Sequence, residues 1–220
     1  AESAVYRTGA LIDEVMATGE MMDSTKPGFP RALDEFALEC SIVKVACSEI
    51  LDEAADEALQ IHGGYGFTEE FTPARIYRDA RINRIFEGTN EINRLFIPGL
   101  LLRRAQRGRF PLLSAVGAVT KELMDLMPAE ESSDGLANAR SLLAHAKKLV
   151  LFLCGVAYQK SGETLSDQQE ILAALSDLII EIYLGESAVL RALKARAKGL
   201  AASTMPDLAA VFVSNSVGRM

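Results

Sequence analysis

The sequence predicts an all-α protein: one helical bundle followed by a second helical bundle. Three observations lead there. Apolar residues recur three and four positions apart in one segment after another, the period of a helix that buries a single face. Of the 220 residues, 49% are apolar but only 6% aromatic, with no Trp and many Ala and Leu, a composition suited to packed helices. Clusters of Gly and Pro separate the periodic segments, where helices stop and start. A chain of this length buries a real core, as one large domain or two small ones.

The elements follow in order. Residues 4–22 carry Val5, Leu11, Ile12, Val15, Met16 and Met22 at helical spacing. Residues 23–30 (DSTKPGFP) are a loop. A long helix over about 31–61 is expected to bury Leu33, Phe36, Cys40, Val43, Cys47, Ile50, Leu51, Ala54, Ala58 and Ile61. Its other face carries Glu35, Glu39, Lys44, Glu49, Asp52 and Asp56. It ends at Gly63-Gly64. Thr72-Pro73 has the form of an N-cap with Pro at the first helical position, opening a helix to about Ile85. Another helix runs from near Thr89 to about Arg107, disturbed at Pro98-Gly99.

Gly108 and Pro111 mark a break, which sets domains at 1–108 and 109–220. A helix over 112–127 and a linker over 127–135 lead to two long helices, about 136–160 and 166–198, with a capping box at Ser166-Asp167-Gln168-Gln169. Leu149, Phe152, Leu153 and Val156 are expected to pack on Leu172, Leu175, Leu178, Ile179 and Ile182. At roughly 1.5–3 kcal/mol for each buried side chain, that holds an antiparallel pair together. A short apolar segment, 208–213, closes the chain.

Net charge is −7, which argues against a nucleic-acid binder. The charge is uneven. Residues 72–109 hold nine Arg against three acidic residues, so +6, leaving −13 for the remainder. Such a band suits a phosphate-bearing small ligand or a subunit contact, or arginines paired with acidic neighbours. Cys40, Cys47 and Cys154 read as buried thiols in a reducing compartment. Neither they nor His62 and His145 have metal-ligand spacing, so no metal is expected. The longest apolar run, 149–157, has nine residues, short of a transmembrane segment. The first residues lack a secretory pattern and begin without Met inside a helix, so an excised piece of a longer protein is expected.

The densest signal is the stretch 60–94, QIHGGYGFTEEFTPARIYRDARINRIFEGTNEINR. Glu87 stands between the apolar pair Ile85-Phe86 and the turn residue Gly88. Ile82, Ile85 and Phe86 have helical spacing and are expected to face a core. A carboxylate at the end of such a face is partly desolvated, the condition under which a carboxylate works as a base near neutral pH. Gly88 lets a ligand or another backbone approach closely. Thr89 or Asn90 can cap the next helix, whose first N–H groups attract an anion or a carbonyl. Spacing alone favours a plainer alternative, a helix-terminal Glu in a solvated turn. The glycines at 63, 64 and 66 read either as a helix C-cap or as a backbone platform for a phosphate or a flat ring. They are no dinucleotide fingerprint, since no strand precedes them.

Taken together, three blocks in order, QIHGGYGF, RDAR and FEGTNEI, resemble the signature of the acyl-CoA dehydrogenase family. The resemblance covers about residues 1–108, as the family's C-terminal helical domain. The second half resembles, in length and pattern, the extra C-terminal helical domain of the very-long-chain branch. In that branch the appendage contributes to dimer contacts and, in mitochondrial members, to membrane association. Lys194, Arg196 and Lys198 read here as a solvated helix end.

The resemblance implies an FAD-dependent enzyme that oxidises acyl-CoA to trans-2-enoyl-CoA. Glu87 is then the base that removes the α-proton, while the β-hydride goes to flavin N5. Phe86 and Gly88 adjoin the acyl-CoA. Thr89 and Glu91 contact flavin, and Gln60, Gly63 and Gly64 touch the flavin of a neighbouring subunit. A homo-oligomer, dimer or tetramer, follows from that. Electron-transfer flavoprotein is the implied electron acceptor. The implied location is the cytoplasm in a bacterium or the mitochondrial matrix in a eukaryote. The piece alone is expected to be inactive. The alternatives are a non-catalytic helical assembly module of the same fold and an acyl-CoA oxidase.

Overall fold

The computed structural model describes residues 1–18, 35–109, 111–122, 132–199 and 204–220. The expected loop at 23–30, and Met22 and Leu33 of the expected apolar faces, lie outside the described residues. Nine α-helices and one 3-10 turn are present among the described residues, with no strand. The protein is all-α.

Two compact units form, one from residues 8–97 and one from residues 98–220 together with 2–7. The first unit contains most of α1 (Glu2–Thr18), then α2 (Ala37–His62), α3 (Gly64–Phe67), α4 (Thr72–Ile82) and the start of α5 (Asn90–Gln106). Helix α2 is its spine and packs against α3 and α4. The buried face of α2 is Leu38, Ile42, Val45, Ala46 and Ala55, with Ala80 of α4 and Ile97 of α5 also buried.

This face differs from the expected one. Cys40, Ile50, Leu51, Ala54 and Ile61 are exposed, whereas Glu39 and Ser48 are buried. The reason is degeneracy. Helix α2 carries apolar residues around much of its circumference, so the 3.6-residue period admits more than one buried stripe. Packing against α4 selects one of them. The cysteines change with it: Cys40 is exposed, and Cys47 and Cys154 are half-buried.

Helix α2 ends at His62, with Gly63 as its C-cap at φ 58°. The chain re-enters a short helical turn, α3, so tightly that a Cβ on Gly66 would stand 2.5 Å from the Leu59 carbonyl oxygen and 2.8 Å from His62 Cβ. One of these neighbours is backbone and cannot rotate away. Gly66→Ala is therefore expected to destabilise the chain by roughly 1–3 kcal/mol. A urea midpoint identical to wild type would show that the turn yields without cost. Tyr65 then packs edge-on against Phe71, with ring centroids 5.2 Å apart. Helix α4 starts one residue earlier than expected. Phe71 occupies the cap without a side-chain bond, and Thr72 lies inside the helix with Pro73 beside it. Helix α5 runs on through Pro98, which has no N–H to give to the carbonyl four residues back.

The second unit contains α6 (Leu112–Glu122), α7 (Gly135–Ser161), a 3-10 turn (Gly162–Asp167), α8 (Gln169–Ala197) and α9 (Met205–Arg219). The short apolar segment expected at 208–213 is the middle of a full helix, α9, which packs on both α7 and α8. Three helices therefore share one core: Leu136, Ala139 and Leu143 from α7, Val189 and Ala192 from α8, Ala209 and Val213 from α9. They cross at Gly185, where a Cβ would stand 2.9 Å from Leu143 Cδ2 and 3.4 Å from Val213 Cγ2.

The expected two-helix seam shifts accordingly. Leu149 is exposed, and the buried stripe of α7 is Leu136, Ala139, Leu143, Ala146, Val150 and Ala157, because two partners and not one decide which residues are covered. The expected capping box does not form. Residues 162–167 wind into the 3-10 turn, and α8 begins at Gln169 with no side-chain cap bond from Gln168. At the other end Asp134 caps α7 by accepting from Leu136 N at 3.0 Å.

Among the described residues, α7 is long and apolar enough to cross a membrane by length and composition, beyond what the nine-residue run indicated. Here it is packed by α6, α8 and α9. Arg7 joins this unit from the N-terminal end, bonding Glu186 Oε2 at 2.9 Å and lying 4.6 Å over the Tyr183 ring.

Candidate active site

Glu87 lies in the first unit, on the connection between α4 and α5. Helix α4 stops at Ile82, and consecutive turns carry residues 83–88. The helical period does not extend through them, so Ile82, Ile85 and Phe86 do not face a core. They are 46%, 50% and 48% exposed. Glu87 and Gly88 are exposed with them. The apolar shielding expected around the carboxylate is not supplied by these three residues.

The backbone here is unusual. Glu87 has φ 56° and is the one described non-glycine residue with positive φ. Gly88 follows at φ 78°. Two successive left-handed residues turn the chain sharply and leave the Glu87 side chain projecting from a tight corner.

A polar network fastens this corner to α2. Lys44 Nζ donates to Gly88 O at 2.6 Å and to Asn90 Oδ1 at 2.7 Å. Asn90 is completely buried, and its Nδ2 donates to Ser48 Oγ at 2.9 Å and Glu49 Oε1 at 3.1 Å. Arg94 holds both oxygens of Glu49, at 2.7 and 2.9 Å. Arg84 bonds Asp52 Oδ2 at 2.8 Å, and Asn90 N closes the loop by donating to Arg84 O at 3.1 Å. Asn93 Nδ2 gives Gly88 O a second bond at 2.9 Å. Part of the basic band is thus matched within the chain by the acidic side of α2. Arg78 also pairs locally, with Glu69 at 2.9 Å in solvent.

Sequence reasoning missed Lys44, Ser48, Glu49 and Asp52 as parts of the site and assigned Asn90 only a candidate capping role. The signal was present: positions 44, 48 and 52 repeat every fourth residue, a polar stripe on a helix whose arginine-rich partner follows some 30–50 residues later in sequence. What the sequence lacked was the pairing.

Burial works against the charge on Glu49, but bonds from Arg94 and Asn90, with Arg84 nearby, hold its carboxyl below the ordinary value of 4.5. A depressed folded pKa stabilises above the unfolded pKa, and that contribution is lost as pH falls through the folded value. Thermal midpoints of the chain are therefore expected to fall as pH drops below about 4.5, and Glu49→Gln should flatten that fall. Parallel pH profiles for the two proteins would remove Glu49 from the account.

The start of α5 caps itself. Thr89 Oγ1 accepts from Ile92 N at 3.2 Å, so Thr89 and not Asn90 is the side-chain cap. Glu91 accepts from its own amide and from the Thr89 hydroxyl, which holds it below the usual carboxylate range. The first N–H groups, expected to attract an external anion or carbonyl, are answered by these two side chains.

The glycine platform is elsewhere. Gln60, Gly63 and Gly64 are exposed at the end of α2, and no heavy atom lies within 4 Å of where a Cβ on Gly63 or Gly64 would be. Gln60 is twelve residues beyond Ser48 on the same helix, roughly 18 Å along its axis. The candidates at 86–91 therefore form one cluster and those at 60–64 another. His62 Nδ1 bonds Ala58 O at 2.7 Å and trims the helix end. Among the described residues no group of His, Cys, Asp and Glu has the arrangement of a metal site.

The first unit thus carries an exposed carboxylate on a pinned, left-handed corner and a bare glycine shelf at the end of α2. Two family profiles match, both described as acyl-CoA dehydrogenase, C-terminal domain, over residues 14–99 and 145–220. A probable acyl-CoA dehydrogenase of Bacillus subtilis is 46% identical over 196 residues, covering 88% of this chain and 33% of that protein. The crystal structure of an acyl-CoA dehydrogenase complexed with FAD from Bacillus anthracis superposes with a TM-score of 0.88 at 42% identity, over 99% of this chain and 38% of that one. A caffeyl-CoA reductase-Etf complex subunit, CarC, of Acetobacterium woodii is 44% identical over 66 residues, 30% of this chain and 17% of that protein. The chain belongs to the acyl-CoA dehydrogenase C-terminal domain family, and it spans about a third of the length of the Bacillus relatives.

Proposed function

We propose that the protein containing this chain oxidises acyl-CoA to trans-2-enoyl-CoA, with Glu87 as the base. The observation that carries this reading is the Glu87 corner: a carboxylate held at φ 56°, exposed, beside a glycine that leaves room for a ligand. The α-hydrogen of the thioester leaves as a proton to the Glu87 carboxylate, and the β-hydrogen leaves with its electron pair, so the α–β single bond becomes double. FAD, when bound, supplies the two-electron acceptor for that hydrogen. Gly88, and Phe86 at 48% exposure, adjoin the acyl-CoA. The thioester oxygen needs hydrogen-bond donors to lower the barrier to α-proton loss, and the backbone N–H of Glu87 is one of them.

The residues present fit a flavin at the glycine shelf. Gly63 and Gly64 offer bare backbone with open space above it, suited to a flat or extended ligand. Gln60, Gly63 and Gly64 would hold the flavin of a neighbouring copy, because about 18 Å of helix separates them from the Glu87 network. Thr89 and Glu91 would adjoin the flavin of their own copy through the outer side of the α5 cap. A homo-oligomer, dimer or tetramer, follows from this division. The Etf complex to which the Acetobacterium relative belongs supports an electron-transfer flavoprotein as the acceptor. The separate match over residues 145–220 supports an appended C-terminal helical domain, which in this reading is that of the very-long-chain branch. The isolated chain, without the rest of the cavity, is inactive in this reading.

The test is anaerobic bleaching of flavin in the full-length protein across a series of acyl-CoA chain lengths. Bleaching with an optimum at one length is expected and gives the substrate class. A protein that binds no flavin, or whose flavin stays oxidised with every length, would overturn the proposal.

A further inference from the structure

The left-handed backbone at Glu87 is costly for a residue with a side chain and persists only where the surroundings impose it. Two side chains act on the carbonyl immediately after it. Asn93 Nδ2 reaches Gly88 O from α5, which is part of the same local turn. Lys44 Nζ reaches it from α2, 44 residues away in sequence. Only the second ties the corner to a different element.

The Lys44 ammonium is itself fixed. Its other bond goes to Asn90 Oδ1, whose residue is completely buried and bonded to Ser48 and Glu49 on the same face of α2. The carboxylates of Glu91, Glu49 and Glu87 all act on it electrostatically. The ammonium therefore joins three things: the spine of the unit, the buried anchor at Asn90, and the residue next to the base. Asn90 is two residues beyond Gly88, so Lys44 holds the chain at two points just after the Glu87 corner.

We propose that Lys44 is a positioning residue for Glu87, fixing where the carboxylate stands when it takes the α-proton. This rests on the reading of Glu87 as the base. The ammonium does not touch the reacting atoms. It holds the Gly88 carbonyl, and through it the φ of the corner. A displacement of about 1 Å in such a group lowers a rate by up to about a hundredfold.

Lys44→Met in the full-length, FAD-loaded protein tests this. Flavin reduction is expected to slow by about tenfold to a hundredfold, with FAD content and acyl-CoA affinity retained. An α-deuterated substrate should show a larger isotope effect than with wild type, because proton removal has become slower. Lys44→Arg, which keeps the charge and the donors, should recover most of the rate. The 220-residue chain gives a second readout independent of flavin. Amide exchange over residues 84–93 should quicken by about tenfold in Lys44→Met, with α7 to α9 unchanged. Full-rate reduction by Lys44→Met, or unchanged exchange over 84–93, would overturn the proposal. So would a loss that Lys44→Arg does not recover and that comes with faster exchange throughout the chain. If Lys44→Met does not fold, Lys44→Gln is read by the same criteria. Glu87→Gln run in parallel separates the two ideas. An active Glu87→Gln defeats the base, whereas an inactive Glu87→Gln beside a full-rate Lys44→Met defeats only the positioning.

Discussion

Glu87→Gln is expected to slow flavin reduction by acyl-CoA at least about a thousandfold in the full-length protein, while leaving the fold unchanged. The amide keeps the shape of the side chain but cannot take a proton. The side chain is exposed, and the bonds that set the corner go to Gly88 O and Asn90, not to the Glu87 carboxylate. The thermal midpoint should therefore stay within about 2 °C of wild type. Stopped-flow bleaching under anaerobic conditions reads the rate, and circular dichroism reads the midpoint. Glu87→Asp separates the requirement for a carboxylate from the requirement for its reach: a shortened base should be slow but active. If Glu87→Gln bleaches near the wild-type rate, another group takes the proton.

Asn90→Ala is expected to destabilise the first unit by roughly 3 kcal/mol. Asn90 has no exposed surface, and its side chain joins Lys44, Ser48 and Glu49. Truncation removes the buried amide that stands between Lys44, Ser48 and Glu49, so each of the three loses a hydrogen-bond partner. In a chain of this size the midpoint should drop by about 6–12 °C. Asn90→Asp is a sharper probe. It keeps an acceptor for Lys44 but turns the donor facing Glu49 at 3.1 Å into a second carboxylate. That variant should be at least as unstable at neutral pH and should regain stability as the pair takes up a proton on acidification. A loss under about 1 kcal/mol for Asn90→Ala would mean that the network rearranges around the gap.

Much of the fold was legible in the sequence, because helix formation is largely local. Apolar spacing and Gly/Pro punctuation located α4, α5, α7 and α8 to within a few residues, and the end of α2 to within one. The break at Gly63-Gly64 was legible because a helix that must stop uses a residue that tolerates positive φ. The three motif blocks were legible as a family signature, and the two matched profiles agree with it. Helix α9 shows in the sequence only as a short apolar segment, since α7 and α8, separated from it in sequence, supply its burial.

The sequence by itself determined the all-α class, the order of the helices and the residues that stand at the Glu87 corner. Tertiary structure decided which face of each helix is covered. For α2 that excluded Cys40, Ile50, Leu51 and Ile61 from the core and buried Ser48. It also decided that Ile85 and Phe86 lie exposed, that Asn90 is an anchor and not a cap, and that the glycine shelf stands apart from the Glu87 network. The physical reason is the range of the forces. Periodicity and turn propensity act over a few residues, so a single sequence carries them. Burial and charged hydrogen bonds join residues some 40 positions apart, as Lys44 and Gly88 are, and these exist only once the helices have met.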